Sequence, residues 1–364
     1  MIPAKYKTLL FAFVLVIYQL PQKIVAQNYE HLANNLHKQI QKHFYLPRGV
    51  YYREFADSVA PQHKVSYLWS LCALWQADNE MEKLLPRGNL LRKDFSVIEK
   101  YNDNAAPAPG FDSYPGEFKK EDRYYDDNQW IGLTAMDAYK RTNQQFYLNV
   151  GEKIYRFMMT GFDTVSGGGL YWKEGDKSTK NTCSNGPGII LALQLYQATK
   201  KQTYLDTALM LYGWVNKHLE APTGLYYDNL KITSNTVAKY QFSYNTGTML
   251  QSNVYLYECT RQQKYLNEAN RIADASLNYF YAKGMFRDDY WFNAVLLRAY
   301  QQLLKYNPDK RYILAFKNCV DNALHNDVNA NGLMGKTKSL NLVAQGGMLE
   351  ILARFAWMQK MHYF

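Results

Sequence analysis

Cysteine is scarce in this 364-residue chain. There are four, at positions 72, 183, 259 and 319, and none forms a Cys-x-x-Cys pair. The seven histidines form no His-Glu-x-x-His or similar cluster. These absences argue against a structural zinc site, and no metal or other cofactor is expected. No Ser-His-Asp or Cys-His set stands at a readable spacing. Runs of one charge are also missing, although the net charge is +10. The basic excess therefore reads as a solvated surface rather than a nucleic-acid face, leaving open a weak attraction to an anionic polymer. Long apolar runs are absent with one exception, Leu9 to Leu20. That run falls short of the about 20 residues a membrane-spanning helix needs. Lys5 and Lys7 lie before it, and Ile24-Val25-Ala26 offers a small residue for cleavage ahead of Gln27. Residues 1–26 thus read as an export signal, with the mature chain periplasmic or extracellular. An uncleaved anchor is the alternative. No cysteine follows the run, so lipid attachment at the mature N-terminus is not expected. Export would permit disulfides, but the sequence does not choose a pairing. Cys72, Cys259 and Cys319 fall in helical patterns and are expected to pack as small apolar residues.

What the chain has in excess is aromatic: 32 Tyr, 17 Phe and 7 Trp. Flat apolar faces with polar handles suit the C–H faces and hydroxyl rims of sugars, although most such rings pack in cores. A hydrophobic content of 47% supports a sizeable core. An internal repeat then fixes the architecture. Tyr139-x-x-Thr142, Tyr196-x-x-Thr199 and Tyr257-x-x-Thr260 are each followed, five residues after the Thr, by Tyr-Leu at 147–148, 204–205 and 265–266. Each joins two helical patterns through a short polar turn, the signature of stacked hairpins. Apolar residues recur on one helical face at Leu205, Ala208, Leu209 and Tyr212, and again at Phe292, Val295, Leu296, Ala299 and Leu303. The periodicity predicts twelve helices near 28–43, 64–78, 88–101, 124–141, 144–161, 182–199, 202–219, 244–260, 264–282, 288–305, 309–325 and 341–358. The expected fold is all-α, an (α/α)6 toroid of six helical hairpins forming one domain over 27–364. Short pieces at 168–172 and 224–227 are expected to make small hairpins. Connections before 64, 124, 182, 244 and 341 are long, and those after 141, 199, 260 and 305 are short. In a ring of hairpins the long ones gather on one face, where function usually sits.

Four polar helix starts belong to that face: Tyr124–Trp130, Asn181–Pro187, Ser243–Gly247 and Arg287–Trp291. Each has an ordinary reading, because Asp, Asn, Ser and Thr cap helices. A cap needs one acceptor, so a second adjacent carboxylate has no capping role. Two carboxyls flanking one bond are what glycoside hydrolysis needs. Asp126/Asp127 and Asp288/Asp289 both qualify. The first pair is favoured because Tyr124, Tyr125, Asn128 and Trp130 surround it. The second follows Arg287 and a brief loop, and is assigned to substrate contact or capping. Gly167-Gly168-Gly169 has no phosphate-loop lysine and no preceding strand, so it reads as a turn.

At these residues the chain resembles glycoside hydrolase family 76, whose bacterial members are endo-acting α-1,6-mannanases on an (α/α)6 scaffold. The matching segments are Tyr-Tyr-Asp-Asp-Asn (124–128), Gly-Gly-Leu-Tyr-Trp (168–172), Lys-Asn-Thr-Cys-Ser-Asn-Gly-Pro (180–187) and Tyr-Asn-Thr-Gly-Thr (244–248). The resemblance runs from about Tyr67 to Trp357. It implies a retaining mechanism without metal, Asp126 as nucleophile and Asp127 as general acid/base. Trp69, Tyr125, Trp172 and Tyr244 are candidate sugar platforms. Asn128, Asn181, Asn185 and Asn245 are candidate hydroxyl contacts, with Asp288 and Asp289 beside them. The segment Phe111–Arg123, rich in charge, Gly and Pro, departs from the family pattern and points to an unusual cleft. The expected partner is α-mannan or a manno-oligosaccharide, acted on by a monomer without nucleic acid or membrane. A glycan-binding protein on the same scaffold, and a cell-wall transglycosidase such as the resemblance suggests for fungal members, are the alternatives.

Overall fold

The computed structural model describes residues 27–56, 64–85, 88–336 and 340–364, so the expected export signal lies outside them. Twelve α-helices occur among the described residues: α1 (Tyr29–Phe44), α2 (Leu68–Leu84), α3 (Leu90–Ile98), α4 (Tyr125–Thr142), α5 (Gln145–Met159), α6 (Thr182–Thr199), α7 (Gln202–Leu219), α8 (Ser243–Thr260), α9 (Gln263–Phe280), α10 (Tyr290–Leu303), α11 (Arg311–Asn326) and α12 (Leu342–Lys360). The even-numbered helices each pack on the next, and α12 closes on α2. The odd-numbered helices lie outside, each against its hairpin partner. This is the expected (α/α)6 toroid. Its sixth hairpin is made by the two ends of the chain. Tyr29 of α1 packs on Phe355 of α12 with ring centroids 5.2 Å apart.

The two rings of helices differ as their burial demands. In α6 every residue from Thr182 to Leu195 is buried, as expected of a helix enclosed on all sides. Outer α9 buries Tyr265, Leu266, Ala269, Ile272, Ala273, Ser276 and Phe280, a single stripe. Inner backbones approach closely where glycine permits it. A Cβ on Gly347 of α12 would lie 2.5 Å from the Trp291 nitrogen, and one on Gly247 of α8 would lie 2.9 Å from Leu296 Cα.

The repeated Thr makes the turn inside each hairpin. Thr142, Thr199 and Thr260 donate to the carbonyls four residues back, at 2.8, 2.8 and 2.7 Å. Each hydroxyl also accepts from the N–H two residues on, at 3.3–3.4 Å. Between them Asn143, Lys200 and Arg261 take left-handed φ values of 54°, 60° and 59° and return their N–H groups to the repeated Tyr carbonyls. The side chain thereby satisfies backbone groups that a helix end leaves open.

Most helix limits fall within two residues of the periodicity. The exceptions are α3, which ends three residues early, and α2. Helix α2 begins four residues late and runs six further, to Leu84. Its polar stretch Asp78-Asn79-Glu80 reads as an end, yet all three side chains are buried. Glu80 instead takes Lys83 at 2.7 Å and Arg354 of α12 at 3.1 Å.

The connections leading into the inner helices carry short antiparallel pairs: β1 (Tyr45–Leu46) with β2 (Tyr51–Tyr52), β3 (Asn102–Asp103) with β4 (Gly110–Phe111), and, in the brief one before α10, β9 (Tyr281–Ala282) with β10 (Met285–Phe286). Between α5 and α8 two long loops join. β5 (Tyr171–Lys173), β6 (Asp176–Asn181), β7 (Asn229–Lys231) and β8 (Thr236–Ala238) form one four-stranded sheet in that order. Thr179, Lys180 and Asn181 pair with Lys231, Leu230 and Asn229. Two separate hairpins were expected there, and the sheet spanning both loops builds a wall over the ring.

Candidate active site

The inner helices all begin at the face that carries this sheet, and a cavity of about 740 Å³ opens there. That lies within the usual size of small-ligand sites. One wall is aromatic: Tyr67 and Trp69 at the start of α2, Tyr124 and Trp130 at α4, Phe242 and Tyr244 at α8, Trp291 and Phe292 at α10. Edge-to-face contacts fix the indoles, with Trp291 5.5 Å from Trp69 and 5.0 Å from Trp130. The opposite wall comes from the sheet and is polar: Thr179, Asn181, Asp228 and Asn229, with Trp172 of β5 above them. Asp126 and Asp127, in the first turn of α4, both open into this space, and Cys183 of α6 lies beside them.

The two adjacent carboxyls have unequal surroundings. Burial raises Asp126 to about 6, and the nearby Cys183 thiol, the Trp172 indole and backbone N–H groups of the first turn oppose the rise, although Oδ1 meets no donor at hydrogen-bond geometry. The Trp172 Nε1–H donates to Asp126 Oδ2 at 3.1 Å. Burial and then the charge of Asp126 push Asp127 well above the carboxylate range, and no described residue donates a hydrogen bond to its carboxyl. Asp126 is therefore the first of the pair to ionise, and Asp127 keeps the shared proton. Two carboxyls driven apart in this way can serve as an acid and a nucleophile or base in one cavity. Asp228 is also raised by burial, and the amides of Asn229 (2.7 Å) and Asn245 (3.5 Å) offset this.

The family model for glycosyl hydrolase family 76 matches residues 33–328. The chain belongs to glycoside hydrolase family 76. Among curated members, mannan endo-1,6-alpha-mannosidase DCW1 of Saccharomyces cerevisiae is 31% identical over 172 residues, covering 43% of this chain and 38% of that protein. Mannan endo-1,6-alpha-mannosidase DFG5 of Candida albicans is 27% identical over 234 residues, covering 59% and 52%. The chain thus spans about half or less of the length of these fungal relatives. A solved family 76 α-mannanase from Bacteroides thetaiotaomicron superposes with a TM-score of 0.86 at 22% identity, covering 93% of this chain and 98% of that one. An α-1,6-mannanase of Salegentibacter sp. HEL1_6 superposes with a TM-score of 0.76 at 23% identity, covering 91% and 99%. That enzyme was solved as an inactive variant, with two consecutive aspartates replaced by asparagine, in complex with α-1,6-mannotriose.

In this family 76 chain the cavity brings together six of the residues singled out from sequence: Asp126, Asp127, Trp69, Trp172, Asn181 and Tyr244. It does not bring in the other six. Tyr125 points inward, against Phe157 at 5.1 Å, and is 3% exposed. Asn128 and Asn185 are fully buried amides that pair with a loop residue as a β-strand would. Asn128 accepts from Phe111 N (2.8 Å) and donates to Phe111 O (2.9 Å). Asn185 accepts from Leu170 N (2.8 Å) and donates to Leu170 O (3.0 Å). Gln345 of α12 does the same for Met334 at 2.8 Å in both directions. Asn245 is buried behind Asp228. Asp288 accepts from Ser243 N at 2.6 Å, tying α10 to α8, and Asp289 caps α10 through Phe292 N at 2.9 Å. Tyr125, Asn128, Asn185 and Asn245, expected from sequence as sugar contacts, do not line this cavity, because the Tyr125 ring packs inward and the amides face loop residues or Asp228. Asp288 and Asp289 take the capping alternative of their assignment and serve helix starts.

Sequence reasoning missed Asp228, Asn229, Cys183 and Trp291 as cavity residues, whereas Trp130, read as flanking the acidic pair, does line the cavity. Cys183 and Trp291 stood inside the polar starts and could have been taken from them. Asp228 had no local signal, since a lone acid after Tyr226-Tyr227 has no period. The segment 111–123 does contribute, through Ser113 and Glu121. Buried Arg123 anchors it, pairing with Glu174 at 2.7 Å and reaching the carbonyls of Ala105, Ala106 and Ala108.

Proposed function

We propose that this chain is an exported, retaining endo-glycosidase that cleaves α-1,6-linked mannan, with Asp126 as nucleophile and Asp127 as general acid/base. The reading rests on the unequal environments of two neighbouring carboxyls in one aromatic-lined cavity. Asp126, supplied with donors, carries the negative charge and attacks the anomeric carbon. Asp127 gives its proton to the departing glycosidic oxygen. The covalent glycosyl–Asp126 ester then meets water, whose proton Asp127 takes as the water attacks the same carbon, freeing Asp126. The aromatic wall suits C–H faces of the sugar and the Asp228–Asn229–Asn181 wall suits its hydroxyls. The substrate class is supported by the mannotriose held by the Salegentibacter relative and by the names of the fungal relatives.

The test is digestion of linear α-1,6-mannan by the wild type, Asp126→Asn and Asp127→Asn, followed by chromatography and by proton NMR of the first anomer released. Short α-anomeric products from the wild type alone are expected. Undiminished cleavage by either variant removes that residue from the mechanism, and a β-anomer first product removes the retaining pathway. Export is tested by fractionating cells that express the whole chain, with shortening to begin near Gln27 as the expected result.

A further inference from the structure

At the opposite end of the barrel axis, where the inner helices finish, a second cavity of about 390 Å³ opens. Its size also falls in the range of small-ligand sites. The chemistry proposed above makes no use of it. Most of its charged side chains are already paired. Lys83 and Arg354 hold Glu80, Arg298 and Arg354 hold Glu350, Arg141 holds Glu82, and Lys305 holds Glu258.

Three groups at this mouth lack an ion partner or an acceptor among the described residues. Asp137 has no ion partner among the described residues, and only the amides of Gln194 (2.8 Å) and Gln76 (3.4 Å) reach it. Lys140 likewise has no carboxylate partner there, and its ammonium lies 5.8 Å from the centre of the Tyr255 ring. Gln302 is 7% exposed and lines the cavity, yet its Nε2 has no acceptor, while its Oε1 is already occupied by Gln251 at 2.9 Å. At the rim Trp357 and Tyr363 lie with centroids 5.9 Å apart and planes 30° from parallel.

The charge pattern selects the class of ligand. An anion would face Asp137 and the negative ends of the inner helices. A cation would face Lys140 and the three arginines. A neutral polyhydroxy compound meets neither penalty. Its oxygens can accept from Gln302 Nε2 and Lys140, its hydroxyls can donate to Asp137, and a C–H face can lie on Trp357 and Tyr363. We propose that this mouth is a second, non-catalytic sugar-binding site. In taking the sugar to be an α-mannosyl unit, the proposal rests on the function argued above. Because the two mouths are at opposite ends of the axis, one mannan chain can be held here while another is cut.

The experiment is calorimetric titration of the full-chain Asp127→Asn protein with α-1,6-mannobiose. Two classes of site are expected. Gln302→Leu and Lys140→Ala should each weaken one class by about tenfold or more and leave the other unchanged. Trp172→Ala should do the reverse. Lys140 is exposed, so its variant is expected to keep the parent melting temperature even if Gln302→Leu does not. A single class of site that responds only to Trp172→Ala overturns the proposal. So does Lys140-dependent binding of inorganic phosphate without binding of mannobiose. Loss of the Trp172-dependent class alone would instead count against the catalytic reading, so the two failures are distinguishable.

Discussion

The two mouths of the barrel solve opposite electrostatic problems with the same six helices. At the end where the inner helices start, Asp126 and Asp127 sit together without a cation in ion-pair contact among the described residues, and burial leaves them hard to ionise. Beneath the mouth where they finish, Glu350 in the middle of α12 is buried just as completely, yet Arg298 at 2.6 Å and Arg354 at 2.8 Å hold it down at about 2. Burial is the largest influence on all three acids, and the partner decides the sign. The first end stores an unfavourable arrangement suited to chemistry, whereas the second closes the ring. A single ring connects them. Arg298 lies 5.6 Å from the centre of Trp130, which is part of the wall of the first cavity.

The sharpest break of this contrast is Asp127→Asn. Activity on mannan should fall by about 10²–10⁴-fold, measured as reducing ends released. The same variant should melt higher at pH 8 and little differently at pH 4. A carboxyl whose folded pKa is raised contributes stability below its unfolded pKa and loses it as pH rises through the folded one. Removing that charge relieves the folded state only at the higher pH. At the other mouth Glu350→Gln should cost about 3–5 kcal/mol in urea unfolding, because two arginines are left buried without a partner. Glu350 has the opposite linkage, with stability present above its unfolded pKa and lost as pH falls towards about 2. If Glu350→Gln were neutral, the second mouth would not be a structural lock.

A smaller effect separates scaffold from site. Asn185→Ala should lose about 1–3 kcal/mol of stability, since it strands the buried N–H and C=O of Leu170. A raised KM with unchanged stability would return Asn185 to the role of sugar contact. The smallest shift expected is in the pH profile. The acid limb should follow Asp126 near 6. Trp172→Phe, which removes one donor to the ionised form, should move that limb up by about half to one pH unit. An unmoved limb would mean that the indole hydrogen bond does not help set the order of ionisation.

Much of the fold was legible because its signals are local. The Tyr-x-x-Thr turns mark three hairpins outright, and the helical period places α6 and α7 to the residue. Helix α2 was misjudged because Asp78, Asn79 and Glu80 have the composition of a helix end. Only their partners on other elements show that they are buried. The amides illustrate the same limit at the site. Asn128, Asn181 and Asn185 are alike in sequence, all near the start of an inner helix. Only Asn181 lines the cavity, because the other two are taken up by Phe111 and Leu170.

By itself the sequence determined the helices, their pairing into a ring, the face that gathers the long loops and the adjacency of Asp126 and Asp127. These follow from periodicity, turn chemistry and chain order, which act over a few residues. Only the tertiary structure decided which carboxyl receives donors, since Trp172 and Cys183 arrive on separate elements. It also decided that Asp228 lines the same cavity as the acids and that α1 and α12 complete the sixth hairpin. Burial and hydrogen bonding depend on what lies across space, and no local pattern encodes that.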